Sequence, residues 1–430
     1  MILREPNTGG QSAIRRIEWG NSDGGCSVLS VDRALNPIIY NKSRRDDLDP
    51  HAPAQYKTKV VDTHCVPRPY PARTGHIPTS MDTIDAEWLG RMMRYKYPSV
   101  EVRSMETVEL LNSHTTKWRV KVDWNDAGTA AGLPQNLCMK ANWSGAFDNV
   151  DIHALEARFY HFMVQEMKVP TAKCYYADWD DDGSAHGFIV LEDLNDRGGR
   201  FGHSTNENGV DMIVENLEGL AKLHGSLWGS EKISPANAPW LQTQMDTPVD
   251  TDQVRIMWQW IAANLEDENF RAVAPQHYLD DPRKVERAFD RLGEIERAYD
   301  APYCIALGDC HQGNTYILPN GERLWLDWQL VRRGRPWRDL TYFVVGALTI
   351  EERRRHHKDL VKQYREHLIA TGAQAVPSLE EAWEQTRLWI MYGLQAWVAN
   401  LDEWGQNGLP MNERFFVAAE DYGTWQLLGE

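Results

Sequence analysis

The stretch from Leu307 to Gln329, LGDCHQGNTYILPNGERLWLDWQ, constrains this chain more than any other. TYIL and RLWL are short apolar runs joined through Pro319-Asn320-Gly321, and Asn-Gly is the strongest short signal for a hairpin. Two strands closed by such a turn carry Asp327 back towards Asp309 and Asn314, which stand five positions apart in the polar turn before them.

An oxygen-rich group of this kind suits phosphoryl transfer. One carboxylate accepts the proton of an attacking hydroxyl, while a carboxamide oxygen and a second carboxylate hold the metal that bridges the nucleotide phosphates. Mg²⁺ takes hard oxygen ligands, one or two of them carboxylate, and leaves the rest to water and phosphate. The order D-x-x-x-x-N, hairpin, D is that of a kinase catalytic loop, with DWQ standing where protein kinases carry DFG.

L-G-D-C-H-Q-G-N, then L-D-W-Q, then G-R-P-W-R-D-L resembles the aminoglycoside phosphotransferase and choline kinase superfamily, and within it the ecdysteroid-kinase-like branch. The H-G-D-x-H-x-x-N pattern of that superfamily is matched at Gly308, Asp309, His311 and Asn314, with Leu307 in place of its first His. That His supports the loop and makes no bonds to substrate, so the departure bears on loop rigidity. The resemblance spans residues of about 85 to 410. It implies an α+β, protein-kinase-like fold of two lobes: a small antiparallel-sheet lobe over residues 81–191 and a mainly helical lobe over 192–430, with a hinge near 192. Residues 1–80 form an additional N-terminal arm of unread role, rich in Gly, Pro, Asn and Asp, with VLSV and PIIY as its short strand candidates.

The resemblance also assigns roles. Asp309 is the base; Asn314 and Asp327 hold Mg²⁺; Lys140, oriented by Glu156, grips the α and β phosphates of ATP; His311 and Asp339 support the loop. Taken alone, Lys140 in NLCMKANW and Glu156 in IHALEARFYHFMVQEM are an ordinary ion pair. Ahead of a matching loop they have the kinase order. The hinge is Glu192, Asp193 and Leu194, whose backbone meets the adenine edge; Asp193 either touches ribose or substrate, or caps the next helix.

Before Lys140, AEWLGRMMRYKYP reads as an amphipathic helix ended by Pro98. SVEVRSMETVELL and KWRVKVDW alternate as antiparallel strands with one buried face. NSHTTK between them carries no glycine. It is either a phosphate-covering turn that uses Ser113, Thr115 and Thr116, or a plain hairpin turn. DWDDDG reads as a solvated tip.

Later segments are helical. VDMIVENLEGLAKLHGSLWG puts Ile213, Leu217, Leu220, His224 and Leu227 on one face, with His224 read as a core residue. Asp281 caps a helix opened by Pro282, and Ser378 with Glu381 makes a capping box. Tryptophan is abundant, at 18 residues. Trp258, Trp389, Tyr392 and Trp397 are either core or an aromatic wall for the acceptor, which would hold a flat apolar alcohol by stacking or a quaternary ammonium by cation–π contact.

A net charge of −16 disfavours nucleic acid and anionic membrane as partners. No apolar run reaches a membrane span and MILREPNTGG lacks a signal segment, so the expectation is a soluble cytoplasmic protein. Six scattered cysteines without a C-x-x-C pair argue against zinc or a disulfide framework, and Cys310 is either a packing residue or a reactive thiol. The activity the resemblance implies is transfer of the γ-phosphate of ATP to a small-molecule hydroxyl, the acceptor being a hydrophobic (steroid-like or hydroxyacyl) alcohol or a cationic one such as an aminoglycoside or choline. A pseudokinase that binds nucleotide and regulates a partner is the rival. Missing glycine-rich and A-P-E segments set a protein kinase aside. Oligomeric state is not legible.

Overall fold

A computed structural model of the chain describes residues 3–4, 14–15, 77–112, 115–143, 152–180, 186–205, 209–243, 245, 251–400 and 407–430. The chain divides into Met1–Asp46 and Asp47–Glu430. In the first unit, β1 (Leu3–Arg4) pairs antiparallel with β2 (Ile14–Arg15). VLSV and PIIY lie outside the described residues, as does the tip at 181–185.

The second unit begins with a sheet. β3 (Val102–Asn112), β4 (Thr116–Trp124), β5 (Asn136–Ala141), β6 (Cys174–Trp179) and β7 (Gly187–Glu192) lie in the order β3-β4-β5-β7-β6, every pair antiparallel. Alternation along β4 sends Trp118, Val120, Val122 and Trp124 into a core with Leu137 and Met139 of β5. The helix Ala86–Met93 closes that core with Trp88, Leu89, Met92 and Met93, its first turn capped by Asp85. It ends at Met93, short of Pro98, because the chain tightens into a turn that bonds Tyr97 N to Met93 O.

β3 departs from the expectation of one buried face. It is an edge strand exposed over most of its length, and Val108, Leu110 and Leu111 remain in solvent. Register shifts at Val102/Ser104 and Thr107/Glu109 break its alternation, the usual work of a bulge at a sheet edge. Asp178 and Asp180, read as part of a solvated tip, are buried: Asp178 accepts from Tyr176 Oη at 2.7 Å and Asp180 from Ile77 N at 3.4 Å.

IHALEARFYHFMVQEM is not one regular helix. Ile152–Arg158 is α-helical, Phe159–Met163 widens into a π turn, and Val164–Glu166 closes as 3₁₀. π turns of this kind recur near functional sites, and here Phe159 stacks on Trp328 at 3.9 Å between ring centroids.

The remainder is helical around one large core. Val210–Gly225 buries Ile213, Leu217, Leu220 and His224 as its periodicity requires. Trp337–Ala347 is buried along every residue and packs against Leu379–Trp397, whose Ser378–Glu381 capping box forms in both directions. The helix expected to start at Asp281-Pro282 starts instead at Lys284 and runs to Ala298. Asp281 follows the short helix Gln276–Asp280; its carboxylate bonds the backbone N–H of Arg283, just ahead of the next helix, and also pairs with Arg287 at 2.8 Å. No described helix is long and apolar enough to cross a membrane.

Candidate active site

The catalytic stretch folds as its turn chemistry dictates. β8 (Thr315–Ile317) pairs with β9 (Arg323–Trp325), Thr315 opposite Trp325, around a loop in which Gly321 has φ 86°. Leu326 N then donates to Asn314 O at 2.9 Å, which brings Asp327 beside Asn314. Asn314 Nδ2 donates to both the carbonyl and Oδ2 of Asp309, at 2.9 and 3.0 Å, so its amide oxygen is left for another partner.

Asp327 has φ 61° and ψ 71°, a left-handed conformation that a residue with a side chain adopts at a cost. Holding it there are Trp328, whose N–H donates to Glu156 Oε1 at 3.1 Å, and the ring stack on Phe159. Lys140 on β5 reaches Glu156 at 2.8 Å and Asp327 at 2.9 Å, so three groups far apart in sequence meet at one ammonium. Burial alone would raise Asp327, but Lys140 and then Lys117 hold its carboxyl down at about 2. Burial likewise opposes the charge on Lys140, and the two carboxylates overcome it and push the ammonium up.

Beneath the loop, Asp339 accepts from Leu307 N at 2.5 Å and Gly308 N at 3.1 Å. His224 Nε2 lies 3.3 Å from the same carboxylate while its Nδ1 meets Tyr364 Oη at 2.7 Å. Burial would raise Asp339; His224 and Arg338 hold it below the usual carboxylate range. Leu307 therefore contributes its amide to the brace, and its side chain is simply core. His311 Nδ1 accepts from Gly313 N at 3.0 Å, which leaves the proton of a neutral ring on Nε2, 3.5 Å from Asp309 Oδ2.

An Mg²⁺ ion fits this donor set. The Leu326 N to Asn314 O bond brings together a carboxamide and the Asp327 carboxylate, the kind of hard oxygen donors that Mg²⁺ takes while phosphate and water complete its shell.

Other expected residues take different places. Ser113 lies outside the described residues. Thr115 Oγ1 accepts from Gln329 Nε2 and lies 3.1 Å from His153 Nε2, while Thr116 is turned into the sheet. Burial and then Lys140 push His153 down to about 3, so this ring is neutral. Asp193 caps the 3₁₀ turn Leu194–Arg197 through Asn195 N and pairs with Arg119 at 2.9 Å. Glu192 N donates to Lys173 O at 2.9 Å, its carboxylate accepts from Lys173 N and Arg197, and Leu194 O accepts from Tyr316 Oη at 2.6 Å. Cys310 is buried, and burial pushes its thiol far up, the behaviour of a packing residue.

Trp389, Tyr392 and Trp397 are 3, 4 and 6% exposed and belong to the large core. Tyr392 Oη donates to Gly308 O at 3.0 Å, so this helix face supports the catalytic loop from behind instead of forming an open wall. Trp258 is half-buried, with the Arg283 guanidinium 5.1 Å from its ring centroid.

Sequence reasoning missed Lys117, Trp328, Gln329 and Tyr342. Tyr342 is buried between the loop and Tyr392, its ring 5.4 Å from that of Tyr392. Only Lys117 had a usable signal: the alternation in KWRVKVDW puts Lys117, Arg119 and Lys121 on one face.

Comparison with curated proteins finds no match. Among solved structures, spectinomycin phosphotransferase APH(9)-Ia, in complex with ADP and spectinomycin, is 11% identical with a TM-score of 0.41, covering 80% of this chain and 99% of that one. Choline kinase LicA from Streptococcus pneumoniae is 13% identical with a TM-score of 0.42, covering 77% and 99%. Macrolide 2'-phosphotransferase MphH from Brachybacterium faecium is 14% identical with a TM-score of 0.38, covering 78% and 97%. The model of the ecdysteroid kinase-like family matches residues 147–375, from the segment leading into Glu156 through the whole catalytic hairpin and the Asp339 brace, and the chain belongs to that family.

Proposed function

We propose that this protein transfers the γ-phosphoryl group of ATP to a hydroxyl group of a small molecule, releasing ADP. The observation that carries the reading is the meeting of Lys140, Glu156 and Asp327 at hydrogen-bond distance, one residue beyond a backbone bond that ties the hairpin to Asn314. Asp309, held by Asn314 and partly exposed, takes the proton of the acceptor hydroxyl as its oxygen bonds to phosphorus and the bond to the ADP oxygen breaks. Lys140 turns from Asp327 to the α and β phosphates, kept in line by Glu156. Asn314 and Asp327 would hold Mg²⁺, whose chemistry there would be to neutralise charge on the nucleotide phosphates. The hinge at Glu192–Leu194 receives the adenine through backbone groups other than Glu192 N and Leu194 O, which already bond Lys173 O and Tyr316 Oη. Family membership favours an apolar alcohol of the steroid-like or hydroxyacyl class as the acceptor.

The test is ADP release from Mg·ATP, wild type beside Asp309→Asn, across apolar alcohols, aminoglycosides and choline analogues. Turnover stimulated by the apolar alcohols and lost in the variant supports the reading. Stimulation by aminoglycosides or choline analogues alone would retain the kinase and replace its acceptor. ATP binding without Asp309-dependent turnover on any class would make the chain a nucleotide-binding regulator.

A further inference from the structure

Lys117 and Lys140 stand directly opposite each other on β4 and β5. Both project from the face away from the Trp118–Leu137 core, the face on which Arg119 meets Asp193 of the hinge and Lys140 meets Asp327. Like charges directly opposite on one face of a sheet repel. Lys140 is compensated by Glu156 and Asp327. Lys117 lies 3.9 Å from the other oxygen of that same Asp327, and its side chain is 40% exposed. One carboxylate is thus shared by two ammoniums. An exposed ion pair at such a distance contributes little to stability, so folding alone gives no reason to set a lysine against Lys140. Once Asp327 turns to a metal, the pair of lysines carries more positive charge than Glu156 balances.

The sheet also supplies a ruler. Order runs β4-β5-β7, and β7 leads into the Glu192–Leu194 hinge. Strands are spaced about 4.8 Å apart. A nucleotide with its base at the hinge and its α and β phosphates at Lys140 extends its terminal phosphates one strand farther, to Lys117. Resting on the phosphotransferase reading above, we propose that Lys117 is a second phosphate-holding lysine, specific for the β–γ end of the nucleotide.

The experiment is calorimetric titration of AMP, ADP and a non-hydrolysable ATP analogue, each with Mg²⁺, into wild type, Lys117→Met and Lys117→Arg, with thermal melting of each protein. Lys117→Met weakens the ATP analogue and ADP about tenfold and AMP less than about twofold, and Lys117→Arg restores most of the loss. Melting temperature changes little in Lys117→Met, because losing the 3.9 Å attraction to Asp327 is offset by losing the repulsion of Lys140. If wild type binds these nucleotides and Lys117→Met binds the analogue and ADP equally well, the inference falls and the phosphotransferase reading stands. An equal loss on AMP also overturns it, since that marks a general field instead of a contact with the terminal phosphates. Absence of nucleotide binding by wild type would remove both.

Discussion

Lys140 Nζ and Asp327 Oδ1, 187 residues apart in sequence, lie 2.9 Å apart in the fold. The contact ties the sheet to the end of the catalytic hairpin and sets a pH dependence. Burial works against the Asp327 carboxylate, yet Lys140 and Lys117 hold its pKa near 2, below the ordinary value of 3.8. A carboxyl depressed by folding adds stability above its unfolded pKa, and that stability drains away as pH falls through the folded value. The stability difference between wild type and Asp327→Asn, measured by urea unfolding, should therefore be constant above about pH 5 and shrink between about pH 4 and pH 2. A difference that grows on acidification would contradict the pairing.

Asp309 is partly open to solvent, and Asn314 fixes its orientation through hydrogen bonds to its carbonyl and carboxylate. Asp309→Asn should lower kcat by about a hundredfold or more, the usual contribution of a positioned base, while the Kd for Mg·ATP changes less than about threefold. Steady-state kinetics beside nucleotide titration separates the two effects. Near-normal kcat in the variant would remove Asp309 from the chemistry.

Gly308 has φ 97°, and a Cβ placed there would overlap the carbonyl oxygen of Leu330. The same residue gives its N–H to Asp339 and its carbonyl to Tyr392, so the backbone cannot swing aside without breaking both bonds. Gly308→Ala should cost about 2–4 kcal/mol of stability in urea unfolding. A cost under about 0.5 kcal/mol would show that the loop has room the structure denies it.

Gln329, two residues after Asp327, donates to Thr115 at the turn between β3 and β4, and the same hydroxyl meets His153 one helical turn before Glu156. This clasp ties Thr115 to the segment after Asp327, and on the phosphotransferase reading it would steady that end of the turn beside the nucleotide phosphates. Gln329→Leu removes its donor, a bond worth about 1 kcal/mol, and should raise KM for ATP about fivefold with kcat changed less than about twofold. A fall in kcat at constant KM would assign Gln329 to the chemical step.

The local parts of this protein were legible from its residues. Pro319-Asn320-Gly321 between two apolar runs makes the hairpin, periodicity places Ile213, Leu217, Leu220 and His224 inside one helix, and Ser378 with Glu381 caps another. Each depends on neighbours a few positions away, so backbone preference and spacing suffice to read it. The order of Lys140, Glu156, Asp309, Asn314 and Asp327 was equally open to reading, because a shared loop pattern carries it.

What the tertiary structure decided depends on which elements meet across long separations. Alternation in β3 looked like a buried face, yet the strand falls at the sheet edge and its apolar side chains stay in solvent. Thr115 looked free to meet phosphate until Gln329, more than two hundred residues away, was brought against it. Trp389, Tyr392 and Trp397 had the composition of a binding wall, but all three are buried in the core, and Tyr392 bonds Gly308. The opposition of Lys117 and Lys140 followed from the register of β4 against β5, and register is set by how a whole face packs, which no short window of sequence contains.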